Sequence, residues 1–259
     1  VQPGISPLGL LDLFTQGKVI SYQVTFVEGW RFQDLLELLA GQEKLNHLLN
    51  GLSESEIMER LGQPGRHPEG LFFPDSYQYV SGISDLEILR RAYQKMEKVL
   101  KDEWRQRAVN LPYESPYEAL IMASIIEKET GVAEERARIA GVFVRRLQKG
   151  MRLQTDPTVI YGLGQAFQGN LTRKHLKQQT PYNTYQIRGL PPTPIALVGR
   201  EAIHAALHPQ NESSLYFVAK GDGTHFFSDT LQQHSEAVRQ FQVKQRTDNY
   251  RSTPKRQGK

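Results

Sequence analysis

The 259-residue chain has no cysteine, which excludes disulfides and thiol catalysis and is compatible with an oxidising compartment. It also has no apolar run near the roughly 20 residues that cross a bilayer, and no signal peptide. Because it begins at Val1 rather than at Met, any membrane anchor or targeting segment is expected to have belonged to a portion cut away. An excess of one charge is missing too. The 32 Lys and Arg residues against 28 Asp and Glu leave +4, spread along the sequence apart from a basic tail at Lys255, Arg256 and Lys259. No nucleic-acid stripe is therefore indicated. There is no internal repeat or low-complexity tract. His225 and His234 have no third ligand at a recognisable spacing, so no metal site is expected, and nothing calls for a cofactor.

What is present is an ordinary core composition, 39% hydrophobic, sufficient for one large domain or two modest ones. Residues 1–62 read as a small α/β module. A short helix is expected around Leu8 to Gln16, then an alternating strand from Tyr22 to Val27, a turn at Glu28-Gly29, and an amphipathic helix carrying Phe32, Leu35, Leu36 and Leu39. A second helix, Ser53 to Leu61, opens on a capping box with Glu56. The Gly- and Pro-rich stretch 63–70 is the expected boundary. Residues 63–249 read as a second domain: an apolar turn at Leu71 to Asp75, a long helix from Ser84 to about Ala108, and two more helices spanning Ser115 to Gly131 and Glu134 to Lys149. Residues 151–162 are expected to be irregular or strand-like and, with 180–185, to form cleft loops. A helix from Arg200 to Leu207, a hairpin over 215–228 and a helix from Thr230 to about Val243 follow. Residues 250–259 are expected to be a disordered tail.

One position in this pattern is out of place. Winding the 115–131 helix at about 100° per residue from Glu118, the side chains of Leu120, Ile121, Met122, Ile125 and Ile126 average near 0°, with Glu129 at about 20° and Glu127 at about 180°. Glu127 and Lys128 are thus assigned to the solvated side and Glu129 to the apolar one. A carboxyl group among apolar neighbours resists ionisation, and a raised pKa suits a general acid. The competing reading is a buried Glu129 paired with Arg136, Arg138, Arg145 or Arg146, and on these grounds alone both stand.

Glu129-Thr130, Leu153-Gln154 and Tyr182-Asn183 resemble, in order and context, the Glu-Ser, Gly-Leu-Met-Gln and Ala-Tyr-Asn motifs of the lysozyme-like lytic transglycosylases. Longer strings are similar to the YceG-like (MltG) family of endolytic murein transglycosylases: 123–130, 150–162, Tyr182-Asn183-Thr184-Tyr185 and Gly189-Leu190-Pro191-Pro192. Thr130 stands for the Ser of the broader superfamily and Pro181 for the Ala before Tyr-Asn. The resemblance implies an α+β protein in which a small LysM-like α/β module precedes a lysozyme-like, mainly helical catalytic domain with a β-hairpin. Trp30 stands where a LysM usually has Asp.

It further implies non-hydrolytic cleavage of the bond between N-acetylmuramic acid and N-acetylglucosamine in peptidoglycan, giving 1,6-anhydro ends, endolytically on nascent strands. Glu129 would be acid and then base. Gln154, Asp156, Tyr161, Tyr182, Asn183 and Tyr185 would bind the glycan, with Arg152 a weaker candidate. Asp156 can equally be read as an Asp before Pro that fixes a turn through backbone amides. The implied setting is the bacterial inner membrane, held by an anchor in the missing N-terminus, with the catalytic domain in the periplasm or outside the membrane. Peptidoglycan strands are the implied substrate and peptidoglycan synthases (penicillin-binding proteins) the implied partners. The alternatives are a lysozyme-type hydrolase with Asp156 activating water, and a non-catalytic peptidoglycan-binding scaffold.

Overall fold

In the computed structural model, Ser6 and residues 20–244 are described. The helix expected at Leu8 to Gln16 and the tail expected over 250–259 lie outside the described residues.

Alternation builds the first sheet. In β1 (Ser21–Thr25) Val24 points inward, and β2 (Ser76–Val80) buries Tyr77 and Tyr79 while Ser76, Gln78 and Val80 face out. The strands pair antiparallel, Val24 opposite Tyr77 and Tyr22 opposite Tyr79, so the buried rings share a face. Strand β2 was not foreseen from the sequence, although its period-two pattern is plain. This sheet crosses the division expected after residue 62 and ties residues 20–80 into one unit. Between the strands lie α1 (Phe32–Ala40) and α2 (Glu54–Arg60). The foreseen capping box forms at α2: the Ser53 amide donates to Glu56 Oε2 at 2.8 Å, and the Glu56 amide donates to Ser53 Oγ at 3.3 Å. Phe32 stacks on Phe72 at 5.1 Å between centroids, joining α1 to the 71–75 segment.

The helical part follows. α3 (Asp85–Arg105) buries Ile88, Leu89, Ala92, Tyr93, Met96 and Val99 along one stripe. α4 (Pro116–Glu129) has the expected proline in its first turn and Ser115 as cap, its Oγ accepting from the Glu118 amide at 3.3 Å. Every residue from Ala119 to Glu127 is buried, so α4 is enclosed on all sides, and Glu127, expected in solvent, is only 8% exposed. The wheel failed because the small residues Ala119, Ala123 and Ser124 let other elements cover the face that has no large side chains. α5 (Ala133–Gln148) and α8 (Arg200–Leu207) pack against α4, and α8 also contacts α3. Residues 156–163, expected to be irregular or strand-like, form helix α6 (Asp156–Leu163) with Pro157 in its first turn; a short α7 (Arg173–Lys177) follows. The foreseen hairpin pairs β3 (Tyr216–Ala219) with β4 (His225–Ser228), and α9 (Leu231–Val238) continues into a π-helical turn at Arg239–Lys244. The mixture is one of helix and strand, and no helix among the described residues is long and apolar enough to cross a membrane.

A buried segment without regular structure, Ile195 to Val198, runs beside α4, and Gly70 packs against the Pro194 just before it. With φ at +76° and the site of a Cβ only 2.5 Å from Pro194 Cβ, Gly70→Ala meets both backbone strain and a clash. It is expected to lose about 2 kcal/mol or more, read as a lower midpoint in urea unfolding.

Candidate active site

Glu129 is the last residue of α4; Thr130 leaves the helix in extended conformation (φ −141°). The helix thus runs through the core and presents its final carboxylate to a cleft of about 820 Å³, lined also by Arg31, Arg146, Gln154, Asp156, Tyr161 and Tyr185. The cleft extends to the hairpin and to α9, where Tyr216 and His225 of the strands and His234 of the helix form part of its wall.

Around Glu129 the chain is held tightly. The Thr155 hydroxyl donates to Glu129 Oε1, and the Thr155 amide donates to Thr184 Oγ1 at 3.0 Å. Gln154 sits in the left-handed region at φ 53°, an uncommon conformation for a residue with a side chain. It is held there from both sides: its amide donates to the Thr184 carbonyl at 3.2 Å, and its Oε1 accepts from Arg146 Nη2 at 3.0 Å. Arg146 also donates to the Leu153 carbonyl at 2.7 Å. Of the arginines considered as partners for Glu129, Arg138 pairs with Glu212, while Arg145 bonds the Ser214 and Gln210 carbonyls. Among the described residues no ion pair to Glu129 is found, which removes the ion-paired reading. Burial, reinforced by the nearby Asp156 charge and opposed by the Thr155 hydrogen bond, raises the Glu129 pKa to about 7.

Asp156 does not brace its turn through backbone amides. As the first residue of α6 it accepts from the Tyr185 hydroxyl at 2.7 Å, and burial with the Asp156 charge raises the Tyr185 pKa. Tyr161 lies with Arg31 over its ring at 5.1 Å and hydrogen-bonds Glu69. Glu69 itself is buried and accepts from the Phe32 amide at 3.0 Å; desolvation raises its pKa to about 7 against that bond.

The structure thus brings Glu129, Gln154, Asp156, Tyr161 and Tyr185 to one cleft. Tyr182 and Asn183 do not line it. Asn183 is 1% exposed; its Nδ2 donates to the carbonyls of His175, Leu176 and Gln178 at 2.6–3.2 Å, and its Oδ1 accepts from the Tyr185 amide at 3.0 Å. It holds the loop that aims Tyr185. Tyr182 packs on Tyr161 at 4.9 Å and shares a 2.9 Å hydrogen bond with Thr193. Arg152 is exposed and outside the cleft. Sequence reading missed Arg31 and Thr155 as members of the site, and assigned Arg146 only as an ion-pair candidate. Nothing local in the sequence distinguishes them.

The YceG-like family profile matches residues 1–240. The endolytic murein transglycosylase of Bacillus subtilis (strain 168) is 32% identical over 241 residues, which are 85% of this chain and 65% of that protein. The endolytic murein transglycosylase of Streptococcus pneumoniae serotype 2 (strain D39) is 29% identical over 176 residues, 66% of this chain and 31% of that protein. The chain therefore spans less than two thirds of the length of either relative. A crystal structure of a YceG-like protein from Listeria monocytogenes superposes with a TM-score of 0.69 at 29% identity, covering 91% of this chain and 82% of that one.

Two expectations follow from the geometry. A carboxyl group whose pKa rises from 4.5 to about 7 on folding withdraws stability as pH climbs through that window, because the folded state disfavours its ionised form. Glu129→Gln should therefore be more stable than wild type at pH 8 by about 3 kcal/mol, seen as a higher unfolding temperature, with the advantage vanishing near pH 4.5. Asn183→Ala leaves the His175 and Gln178 carbonyls and the Tyr185 amide without their side-chain partner, the Leu176 carbonyl keeping Gln186, and should cost roughly 2–4 kcal/mol, measured by denaturant unfolding.

Proposed function

The chain belongs to the YceG-like family, and on that premise we propose that it is a lytic transglycosylase that cleaves peptidoglycan within its glycan strands, between N-acetylmuramic acid and N-acetylglucosamine. The carrying observation is a single carboxyl group, Glu129, desolvated at a helix end inside a cleft and poised near pH 7. A neutral Glu129 donates its proton to the glycosidic oxygen as the bond to the anomeric carbon breaks, leaving an oxocarbenium-like or acetamido-stabilised sugar. The carboxylate so formed takes the proton of the muramoyl 6-hydroxyl, whose oxygen bonds to the anomeric carbon and closes the 1,6-anhydro ring. One group serves twice, and no water enters. Thr155 orients the carboxyl; Gln154, Tyr161 and Tyr185 present donors and ring faces to the sugar.

Asp156 is the observation in favour of a hydrolytic reading, since it is a second carboxylate in the same cleft. Its hydrogen bond to Tyr185 argues for a positioning part instead. The rest of the reading extends from the family. Strand β1, the Gly29 turn and α1 support a LysM-like module that contacts the glycan, ahead of a catalytic domain that extends to about residue 249. A preceding anchor would hold the protein on the outer face of the cytoplasmic membrane, beside peptidoglycan synthases.

Mass spectrometry of digested glycan strands tests the chemistry. Anhydro-ended fragments are expected; reducing ends would establish hydrolysis, and intact strands a binding protein. Glu129→Gln should lower turnover by at least about 100-fold, and wild-type activity should fall above pH 7 as the acid form is lost. Glu127→Gln should melt earlier, because Glu127 Oε2 accepts from the Gly199 amide at 3.3 Å, yet keep its turnover per folded molecule.

A further inference from the structure

Away from the cleft, the ends of α3 and α8 bring together Glu103, His204 and His208, with one potential ligand atom from each lying within 4.8 Å of the others. We propose that these three side chains bind one divalent transition-metal ion, with zinc the expected occupant, and that the ion clamps α3 to α8.

Sequence spacing makes the first half of the site. His204 and His208 stand four residues apart; His208 caps the end of α8, its amide donating to the His204 carbonyl at 2.8 Å, and the two rings lie side by side. Their centroids are 4.3 Å apart with planes 27° from parallel. Two histidines at i and i+4 are a helix's usual means of holding zinc. Packing makes the other half. Glu103, buried in the last turn of α3, places Oε2 at 3.0 Å from His204 Nδ1, while its Oε1 accepts from Arg200 Nη1 at 2.7 Å. That second bond orients the carboxylate as an outer-shell donor orients a ligating one.

A simple ion pair between Glu103 and His204 would explain those two residues and leave the third unexplained. His208 Nε2 is buried and has no hydrogen-bond partner, a costly condition that a ligand relieves. Two imidazoles and one carboxylate suit zinc better than magnesium or calcium and leave a fourth position for water. Bonds of about 2.0–2.2 Å need the donors about 1 Å closer together than their widest separation here, and the His204 side chain, 57% exposed, has the freedom to supply that movement. Because α8 packs on α4, a clamp at this point braces the helix that ends in Glu129.

The test uses the untagged chain and Zn(II) alone, read by calorimetric titration and thermal unfolding, neither of which depends on glycan cleavage. One Zn(II) per chain is expected, with the melting temperature raised by roughly 5 °C at a hundredfold excess over the dissociation constant. His208→Ala keeps the Glu103–His204 pair and should melt like wild type without metal, yet bind Zn(II) at least tenfold more weakly and lose the thermal shift; His204→Ala, which also removes the partner of buried Glu103, should melt lower without metal and likewise lose Zn(II) binding and the shift. Co(II) should give wild type a visible absorption spectrum of low-coordinate geometry that both variants lack. Absence of a Zn(II)-dependent shift in wild type, or an equal shift in the two variants, overturns the proposal.

Discussion

A helix whose middle nine residues, Ala119 to Glu127, are all buried must find partners inside the protein for the polar atoms it carries there, and the way α4 does this organises the surrounding structure. Ser124 donates to the Ile121 carbonyl at 2.7 Å and accepts from the Ile195 amide at 2.9 Å; Glu127 accepts from the Gly199 amide at 3.3 Å. These bonds draw the 195–199 segment against the helix. The same segment exchanges bonds with the N-terminal unit, Gly29 amide to Leu197 carbonyl at 2.8 Å and Leu197 amide to Trp30 carbonyl at 2.6 Å. Lys128 completes the link by donating to the Gly29 carbonyl at 3.0 Å. One buried helix thereby joins the β1–β2 unit, the loop before α8 and the cleft.

Glu129 differs from Glu127 by where the helix stops rather than by which side it faces. Glu127 is enclosed and tied to a backbone amide. Glu129, two residues later, stands where α4 has run out, so its carboxyl is desolvated by the walls yet open to the cleft. The loop opposite, held by Arg146, Thr184 and Asn183, keeps Gln154 in a left-handed conformation and sets Thr155 on the carboxyl. Such rigidity costs backbone strain, and the hydrogen bonds at both faces of residue 154 offset it. Glu69 lies outside the cleft lining, buried, where it accepts from the Phe32 amide.

Local patterns were readable where they are local in origin. The Ser53–Glu56 capping box, the Pro116 start, the α3 stripe and the 215–228 hairpin each depend on residues within a turn or two, and each formed. Strand β2 was overlooked because Pro74 and the polar alternation of Ser76-Tyr77-Gln78-Tyr79 suggest a turn until a partner strand more than 50 residues away is known. The 156–163 helix was misread because polar and β-branched residues hide its period. Asn183 was taken for a ligand-binding residue since an Asn in a loop looks the same from sequence whether it faces a sugar or three carbonyls.

The sequence by itself determined the elements of local origin, the membership of a family through its long motif strings, and the choice of Glu129 as the carboxylate of interest. Only the tertiary structure decided what surrounds it. The wheel placed Glu127 in water because it weighs the side chains of one helix; the packing of α5, α8 and the 195–199 segment buried it, and burial is a property of neighbours. In the same way the raised Glu129 pKa, the absence of an arginine partner for it among the described residues, and the meeting of Glu103 with His204 and His208 across a hundred positions come from long-range contacts, which local spacing does not encode.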